Sequence, residues 1–249
     1  MQAQKPTASI IIPNKDEWKM TCRCLEAIRK FTRESCEVIL VDNGSSKVPE
    51  VIRQYPFLRL IRNNWNRGFA AAINQGLERA KGEYLVWLNN DTLPSYRWLT
   101  QLLHVLRSDS SIGLVGPVSN RVIPEQKIAV SLRSVDKILR FSRQFNRTDP
   151  DRWRDTLRLS GFCLVYPREV LQKVGLLDER FGLGTYEDDD YCYRVRQAGY
   201  RLVVAGDTYV HHFGSTSFRK NGYDEFRKIL AQNRRYYIDK WQRIPEGEG

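Results

Sequence analysis

The chain has 249 residues, longer than a small stapled module and too short for several full domains of roughly 100–200 residues each. With 41% hydrophobic and 11% aromatic residues it can bury a core, while 28% charged residues and a mean hydropathy of −0.52 exclude a bundle of membrane spans and a disordered chain. The net charge of +11 is localised: residues 121–158 carry ten Lys/Arg against five Asp/Glu and residues 218–243 eight against three, whereas 159–217 is slightly acidic, unlike a uniformly basic histone-like binder.

Short apolar runs at residues 10–13, 38–41, 58–61, 84–88, 112–115, 163–166 and 202–205 are separated by helix-sized intervals. The pattern predicts alternating strands and helices, and near-continuous apolar strands imply an α/β fold with a largely parallel sheet covered on both faces. Leu25 and Ile28 recur at helical spacing, as do Ala70, Ile73, Asn74 and Leu77 over residues 69–80, before Gly82 stops the helix. Residues 120–158 break the rhythm. They are Arg-rich, lack a strong strand and contain Pro124 and Asp149-Pro150-Asp151, which reads as a partly helical insertion over the sheet. Phe226, Ile229, Leu230, Asn233, Tyr237 and Trp241 predict a C-terminal amphipathic helix. The expected parts are therefore a first half (1–119), a basic insertion (120–158), a second half of the same domain (159–217) and a C-terminal helix and tail (218–249).

Five cysteines (Cys22, Cys24, Cys36, Cys163, Cys192) form an odd set without a C-x-x-C pair, which fits buried reduced thiols and a cytosol-like compartment. Residues 1–7 hold no apolar run and no window reaches the roughly 18 apolar residues of a spanning helix, so neither signal peptide nor anchor is expected, and the expected location is cytoplasmic.

In an open α/β sheet, ligands bind beyond the carboxyl ends of the strands. The turns there read Pro13-Asn14-Lys15-Asp16-Glu17, Asp42-Asn43-Gly44-Ser45, Asn63 with Asn66-Arg67-Gly68, and Asn89-Asn90-Asp91. None has the glycine pattern of a dinucleotide fold or phosphate loop. Amides and acids can instead hydrogen-bond a base and ribose, while a carboxylate such as Asp91 can hold a divalent metal against a diphosphate. One such turn is ordinary turn chemistry; four together point to a nucleotide site.

These residues, with Ser9-Ile10-Ile11-Ile12-Pro13-Asn14, the stretch from Asn66 through Asn74, Gly161 before an apolar strand, Tyr186-Glu187-Asp188-Asp189-Asp190 with Arg194, and His211-His212-Phe213-Gly214, give a chain that resembles family 2 glycosyltransferases of the GT-A fold. Those are inverting enzymes that use nucleotide-activated sugars, among them rhamnosyltransferases and other enzymes of polysaccharide biosynthesis in the cell envelope. The motifs follow the family's order across about residues 8–119 and 159–217. The resemblance implies that Pro13, Asp42 and Arg67 surround base and ribose, with Asn14, Asn43, Gly68 and Asn74 close by and Asp16 in the same turn. Asn89-Asn90-Asp91 stands where the family has Asp-x-Asp, with Asp91 as the metal and diphosphate contact. Mn²⁺ or Mg²⁺ is implied. Asn89 brings no negative charge, which implies modest metal affinity.

On a helix beginning at the acidic cluster, Asp188 shares the apolar inward stripe with Tyr191, Cys192, Val195 and Ala198, while Asp190 can pair with Arg194 at i+4. Desolvation there is expected to raise the Asp188 pKa toward general-base values. The plainer alternative is that acids at a helix N-terminus complement the macrodipole. The resemblance places the base in the Glu187-Asp188 pair, with Asp188 preferred. It also implies a metal-ligating histidine near residues 211–212; a strand points the two to opposite faces, and spacing to Gly214 and Ser217 favours His212 over His211. Gly161 and Phe162, with Asp190, are expected at the acceptor or donor sugar, and Gly182-Leu183-Gly184 allows a mobile closing loop. Trp87, Trp98 and Trp153 are candidates for stacking on a sugar, Trp87 fitting the core better; His104 reads as surface.

The reading is a transferase that moves a sugar from a UDP- or dTDP-sugar to a glycan, lipid-linked or protein acceptor, with possible peripheral contact between its basic stretches and an anionic membrane. Two alternatives stand beside it. One is a basic nucleic-acid or polyanion-binding module, for which no helix-turn-helix, zinc-finger or RNP signature is present. The other is a nucleotide-sugar-binding protein that has lost catalysis.

Overall fold

A computed structural model describes residues 5–214 and 223–248. Ser217 and the first part of the basic C-terminal stretch lie outside the described residues. In chain order the strands are β1 (Ala8–Asn14), β2 (Cys36–Asn43), β3 (Leu58–Asn63), β4 (Tyr84–Leu88), β5 (Thr92–Leu93), β6 (Ile112–Val118), β7 (Trp153–Thr156), β8 (Cys163–Pro167), β9 (Arg201–Tyr209) and β10 (His211–His212). The helices are α1 (Trp18–Phe31), α2 (Phe69–Arg79), α3 (Trp98–Ser108), α4 (Val135–Phe145), α5 (Arg168–Val174), α6 (Glu187–Gln197) and α7 (Tyr223–Trp241).

Eight strands form one sheet in the order β3-β2-β1-β4-β8-β6-β9-β7. The first four are parallel, as are β6 and β9, while β8 runs antiparallel between β4 and β6 and β7 runs antiparallel to β9. Alternation along β1 shows why both faces are covered: Ile10 and Ile12 join the cluster with α1 and α3, and Ile11 joins the cluster with α2, α5 and α6. All three isoleucines are fully buried, each contributing roughly 1.5–3 kcal/mol of burial. Every apolar run read from the sequence is a strand here, and the C-terminal helix is present, with Tyr237 packed against Phe181 and Tyr186.

The region 120–158 departs from its reading. It holds α4, capped by Ser134 accepting from the Lys137 N–H, but it also supplies β7, which pairs with β9 at the sheet edge. Trp153-Arg154-Asp155-Thr156 is short and exposes two adjacent charges, Arg154 and Asp155, the usual protection of an edge strand, so it contains no apolar run. A second, two-stranded ribbon pairs β5 with β10. All five cysteines are free thiols, and Cys24, Cys163 and Cys192 are buried. Among the described residues no helix is long and apolar enough to cross a membrane.

Candidate active site

Because β8 is reversed, its N-terminal end, not its C-terminal one, meets the C-terminal ends of β1, β2 and β4. A cleft of about 290 Å³ opens at that edge. Asn14, Asn43, Asn89, Asn90 and Asp91 line it from the strand ends, with Pro13; Gly161 and Phe162 from the turn before β8; Glu187 and Asp188 from the start of α6; and His212 from β10.

The amides are organised as two neutral networks. Asn14 Oδ1 accepts from Thr21 Oγ1 at 2.8 Å and from Asn90 Nδ2 at 3.0 Å, joining the ends of β1 and β4. Asn43 Nδ2 donates to Asn66 Oδ1 at 2.8 Å and the Gly68 carbonyl at 2.9 Å, while its Oδ1 accepts from Asn63 Nδ2 and the Arg67 N–H, both at 3.0 Å. One side chain therefore uses all its donors and acceptors to fold the 63–68 loop against β2.

Beyond this rim, several expected contacts fall elsewhere. Asn74 does not reach the cleft: it donates to the Leu177 carbonyl and accepts from the Leu177 N–H, both at 2.9 Å, and so pins α2 to the 177–179 turn. Asp42 is fully buried, accepts from the Ser45 N–H and faces Arg62 at 3.4 Å. Arg67 is exposed, and only its backbone N–H serves the rim. Gly68 (φ +93) does not line the cleft, but a Cβ there would meet the Gly182 carbonyl oxygen at 2.0 Å, so only glycine allows the two loops to touch. Asp16 is exposed and bonded to Lys15 and Ser46, which hold its pKa down.

At the start of α6 the carboxylates divide. Asp188 Oδ2 accepts from the Gly161 N–H at 2.7 Å and its Oδ1 from the Asp189 N–H at 3.0 Å, which fixes the carboxylate at the cleft wall. A Cβ on Gly161 would lie 3.3 Å from Asp188 Cβ, so a larger residue would crowd this contact. The deeply buried member of the pair is Glu187, not Asp188 as the inward stripe suggested: burial, then the Asp188 charge, pushes the Glu187 pKa well up, and its Oε2 has no hydrogen-bond partner. Asp189 is raised to about 8 by burial and by Asp188, against the pull of Arg158 at 3.4 Å. Asp190, expected at the sugar, does not line the cleft. It is fully buried away from the cleft, bonded to Arg194 at 2.9 Å as expected and also to Lys240 and Trp241.

The two histidines diverge as strand neighbours should. His212 stacks on Phe162 with ring centroids 5.3 Å apart, and its Nε2 lies 3.1 Å from Asp91 Oδ1. His211 turns inward, where its Nδ1 meets Tyr209 Oη at 2.7 Å and burial lowers its pKa to about 4; it is not placed to share a metal with Asp91. His212 Nδ1 faces the Arg121 carbonyl at 2.9 Å and so carries a proton; with Nδ1 protonated, the tautomer able to bind a metal is the one whose Nε2 lone pair is aimed at the Asp91 carboxylate. Two acceptors held face to face suit a divalent cation, and the fixed second nitrogen is the usual support of a metal-bound histidine. Among the described residues no third His, Cys, Asp or Glu joins them, so further ligands would have to come from bound substrate or water.

None of the expected tryptophans lines the cleft. Trp87 and Trp98 are fully buried, and Trp153 donates to Asp207 at 2.9 Å; His104 is exposed, as expected, near Trp153. The 182–186 loop, expected as a mobile closing loop, is tied to two neighbours: the Gly182 carbonyl accepts from the Phe69 N–H, and Asn233 of α7 donates to the Gly184 carbonyl. Cleft residues missed from sequence include Lys15, Asn66, Phe69, Ser160 and Thr185. Lys15 and Asn66 sat inside the turns already read, but nothing local marked them as facing the ligand side.

A family model described as Glycosyl transferase family 2 matches residues 9–175. The O-antigen biosynthesis protein RfbC of Myxococcus xanthus is 28% identical over 241 residues, covering 88% of this chain and 18% of that protein. Chondroitin synthase of Escherichia coli is 25% identical over 271 residues, covering 95% and 40%. The chain thus spans well under half the length of these relatives. Two solved structures share the fold: GalNAc-T7 with UDP, GalNAc and Mn²⁺ (TM-score 0.67, 18% identity, 85% of this chain and 44% of that one) and the mannosyltransferase PcManGT from Pyrobaculum calidifontis with GDP-Man and Mn²⁺ (TM-score 0.66, 23% identity, 92% and 62%). The sheet, its flanking helices and these likenesses are those of the GT-A fold. With a family match over more than half its length and that fold beneath it, the chain belongs to glycosyl transferase family 2.

Proposed function

We propose that this chain is an inverting glycosyltransferase that moves a sugar from a UDP- or dTDP-sugar onto a hydroxyl of a glycan, lipid-linked or protein acceptor. The observation that carries this reading is one cleft that holds both a backbone-fixed carboxylate, Asp188, and the facing pair Asp91 and His212. The amide rim around Asn14 and Asn43 offers the base and ribose neutral hydrogen-bonding groups, with buried Asp42 behind it and Pro13 beside it. Asp188 takes the proton of the acceptor hydroxyl as its oxygen bonds to the anomeric carbon, and the bond from that carbon to the diphosphate oxygen breaks, inverting the configuration in a single displacement. Glu187 lies buried beside it, its pKa pushed well up by burial and by the Asp188 charge. Asp91 and His212 would hold Mn²⁺ or Mg²⁺, which supplies positive charge to the leaving diphosphate. The Mn²⁺ in both structural neighbours supports this assignment. Exposed Arg133, Lys137, Arg140 and Arg143, on and before α4, suit an acidic acceptor or peripheral contact with an anionic membrane.

Calorimetric titration with UDP, dTDP, GDP and CMP, with and without Mn²⁺, tests the donor class: metal-dependent binding of UDP or dTDP is expected, and binding of none removes the reading. Asp188→Asn is expected to keep that binding while transfer falls by about 10²–10⁴-fold. Undiminished turnover by this variant would remove Asp188 as the base.

A further inference from the structure

The structure assigns to Asn233, on the C-terminal helix α7, the role of a positioning residue whose side-chain amide sets the loop that delivers Glu187 and Asp188 to the cleft. The inference rests on the proposed transferase reading of that cleft. It concerns residues beyond the 9–175 family match, on an element none of whose described side chains lines the cleft.

The loop at residues 182–186 needs an external hold. Gly182 (φ +58), Gly184 (φ +130), Thr185 (φ +79) and Tyr186 (φ +66) all have positive φ, and two of them carry side chains that disfavour that region. Such a backbone persists where its surroundings over-determine it. Its front presents Leu183, Gly184 and Thr185 to the cleft. Its back presents carbonyls to Asn233, whose two Nδ2 hydrogens are shared among four acceptors within reach: the Phe181 oxygen at 2.7 Å, the Gly184 oxygen at 2.8 Å, and the Thr185 oxygen and Oγ1 at 3.2 Å each. Asn233 is only 5% exposed. Tyr186 is the N-cap of α6 and makes no side-chain cap bond, so the dihedrals of residues 185 and 186 set where α6 starts and where Asp188 points.

The chemistry of the position is specific. The amide supplies two N–H groups and no charge, which suits a cluster of carbonyl oxygens. Aspartate has nearly the same shape but would set a carboxylate against them, and leucine would leave them unpaired. The rest of α7 holds its place independently: Tyr237 packs on Phe181 and Tyr186, Lys240 reaches Asp178 at 2.8 Å, and Trp241 Nε1 donates to Asp190 at 2.8 Å. Removing the amide therefore frees the loop without releasing the helix.

The test compares Asn233→Asp and Asn233→Leu with the amide-retaining Asn233→Gln in the full chain. Three quantities are read: hydrogen exchange by mass spectrometry, calorimetric binding of UDP, dTDP and GDP with Mn²⁺, and turnover of whichever of UDP-glucose, UDP-N-acetylglucosamine, dTDP-rhamnose or GDP-mannose the wild type consumes. In the Asp and Leu variants, exchange over residues 181–190 should rise while β1, β2 and β4 stay protected. Their kcat should fall by about 10–100-fold, as expected for a reacting group displaced by an ångström or less, with nucleotide affinity unchanged within about twofold. Asn233→Gln should recover part of the rate. Wild-type loop exchange and kcat in Asn233→Asp would overturn the assignment, as would a parallel loss of strand protection, nucleotide binding and rate. If the wild type binds no nucleotide, the proposed function fails, and loop exchange alone then decides the role of Asn233.

Discussion

The two walls of the cleft are held by different forces. The strand-end rim is a lattice of uncharged amides, Asn14 with Thr21 and Asn90, and Asn43 with Asn63 and Asn66. The start of α6 packs four consecutive acids, two of them buried, against Arg158, Arg194 and Lys240. Neutral hydrogen bonds fix backbone geometry whatever the pH, because none of the groups titrates near neutrality. Desolvated carboxylates depend on their partners and on proton concentration. The rim is therefore the wall whose geometry is independent of pH, and the acidic turn is the wall whose charge state responds to it.

Removing a counter-charge from the acidic wall should give the largest effect. Arg194→Met keeps the aliphatic stem but removes one of the two cations that face fully buried Asp190, leaving Lys240, and a loss of about 2–4 kcal/mol in denaturant unfolding is expected. On the rim, Asn43→Ala removes four hydrogen bonds of a neutral network; about 1–3 kcal/mol should be lost, together with nucleotide affinity read by calorimetry. The mildest effect is a pH slope. Acids whose pKa is raised by folding stabilise the fold fully below their ordinary values and lose that contribution as pH rises through the folded value. Asp189, raised from 3.8 to about 8, and Glu187 both act in this direction. Buried His211, lowered from 6.5 to about 4, opposes them only below about 6.5. Between pH 6.5 and 8, stability should therefore fall with rising pH, by at most about 1.4 kcal/mol per unit for each proton. Glu187→Gln should flatten the slope, and an unchanged slope would show that Glu187 does not contribute to it.

Much of the rim was legible because its residues follow apolar runs directly. Asn14, Asn43 and Asn89-Asn90-Asp91 end parallel strands, so knowing the strands placed them at one edge. Asn74 misled because its spacing on α2 is the same whether the amide meets a ligand or the Leu177 backbone. Asp190 misled because adjacency to Asp188 says nothing of what packs behind α6; Lys240 and Trp241 arrive from about fifty positions later in the chain.

The sequence by itself determined the alternation of strands and helices, since an apolar run buried on both faces and an amphipathic stretch are periodicities of the chain alone. It also determined which turns carry amides and acids, and that His211 and His212 face opposite ways. Only the tertiary structure decided that β8 reverses and brings Gly161 against Asp188, that His212 and not His211 meets Asp91, and that the C-terminal helix grips the loop before α6. Those contacts join residues 27, 121 and about 50 positions apart, and their cost or gain depends on burial and partners that no local window of sequence contains.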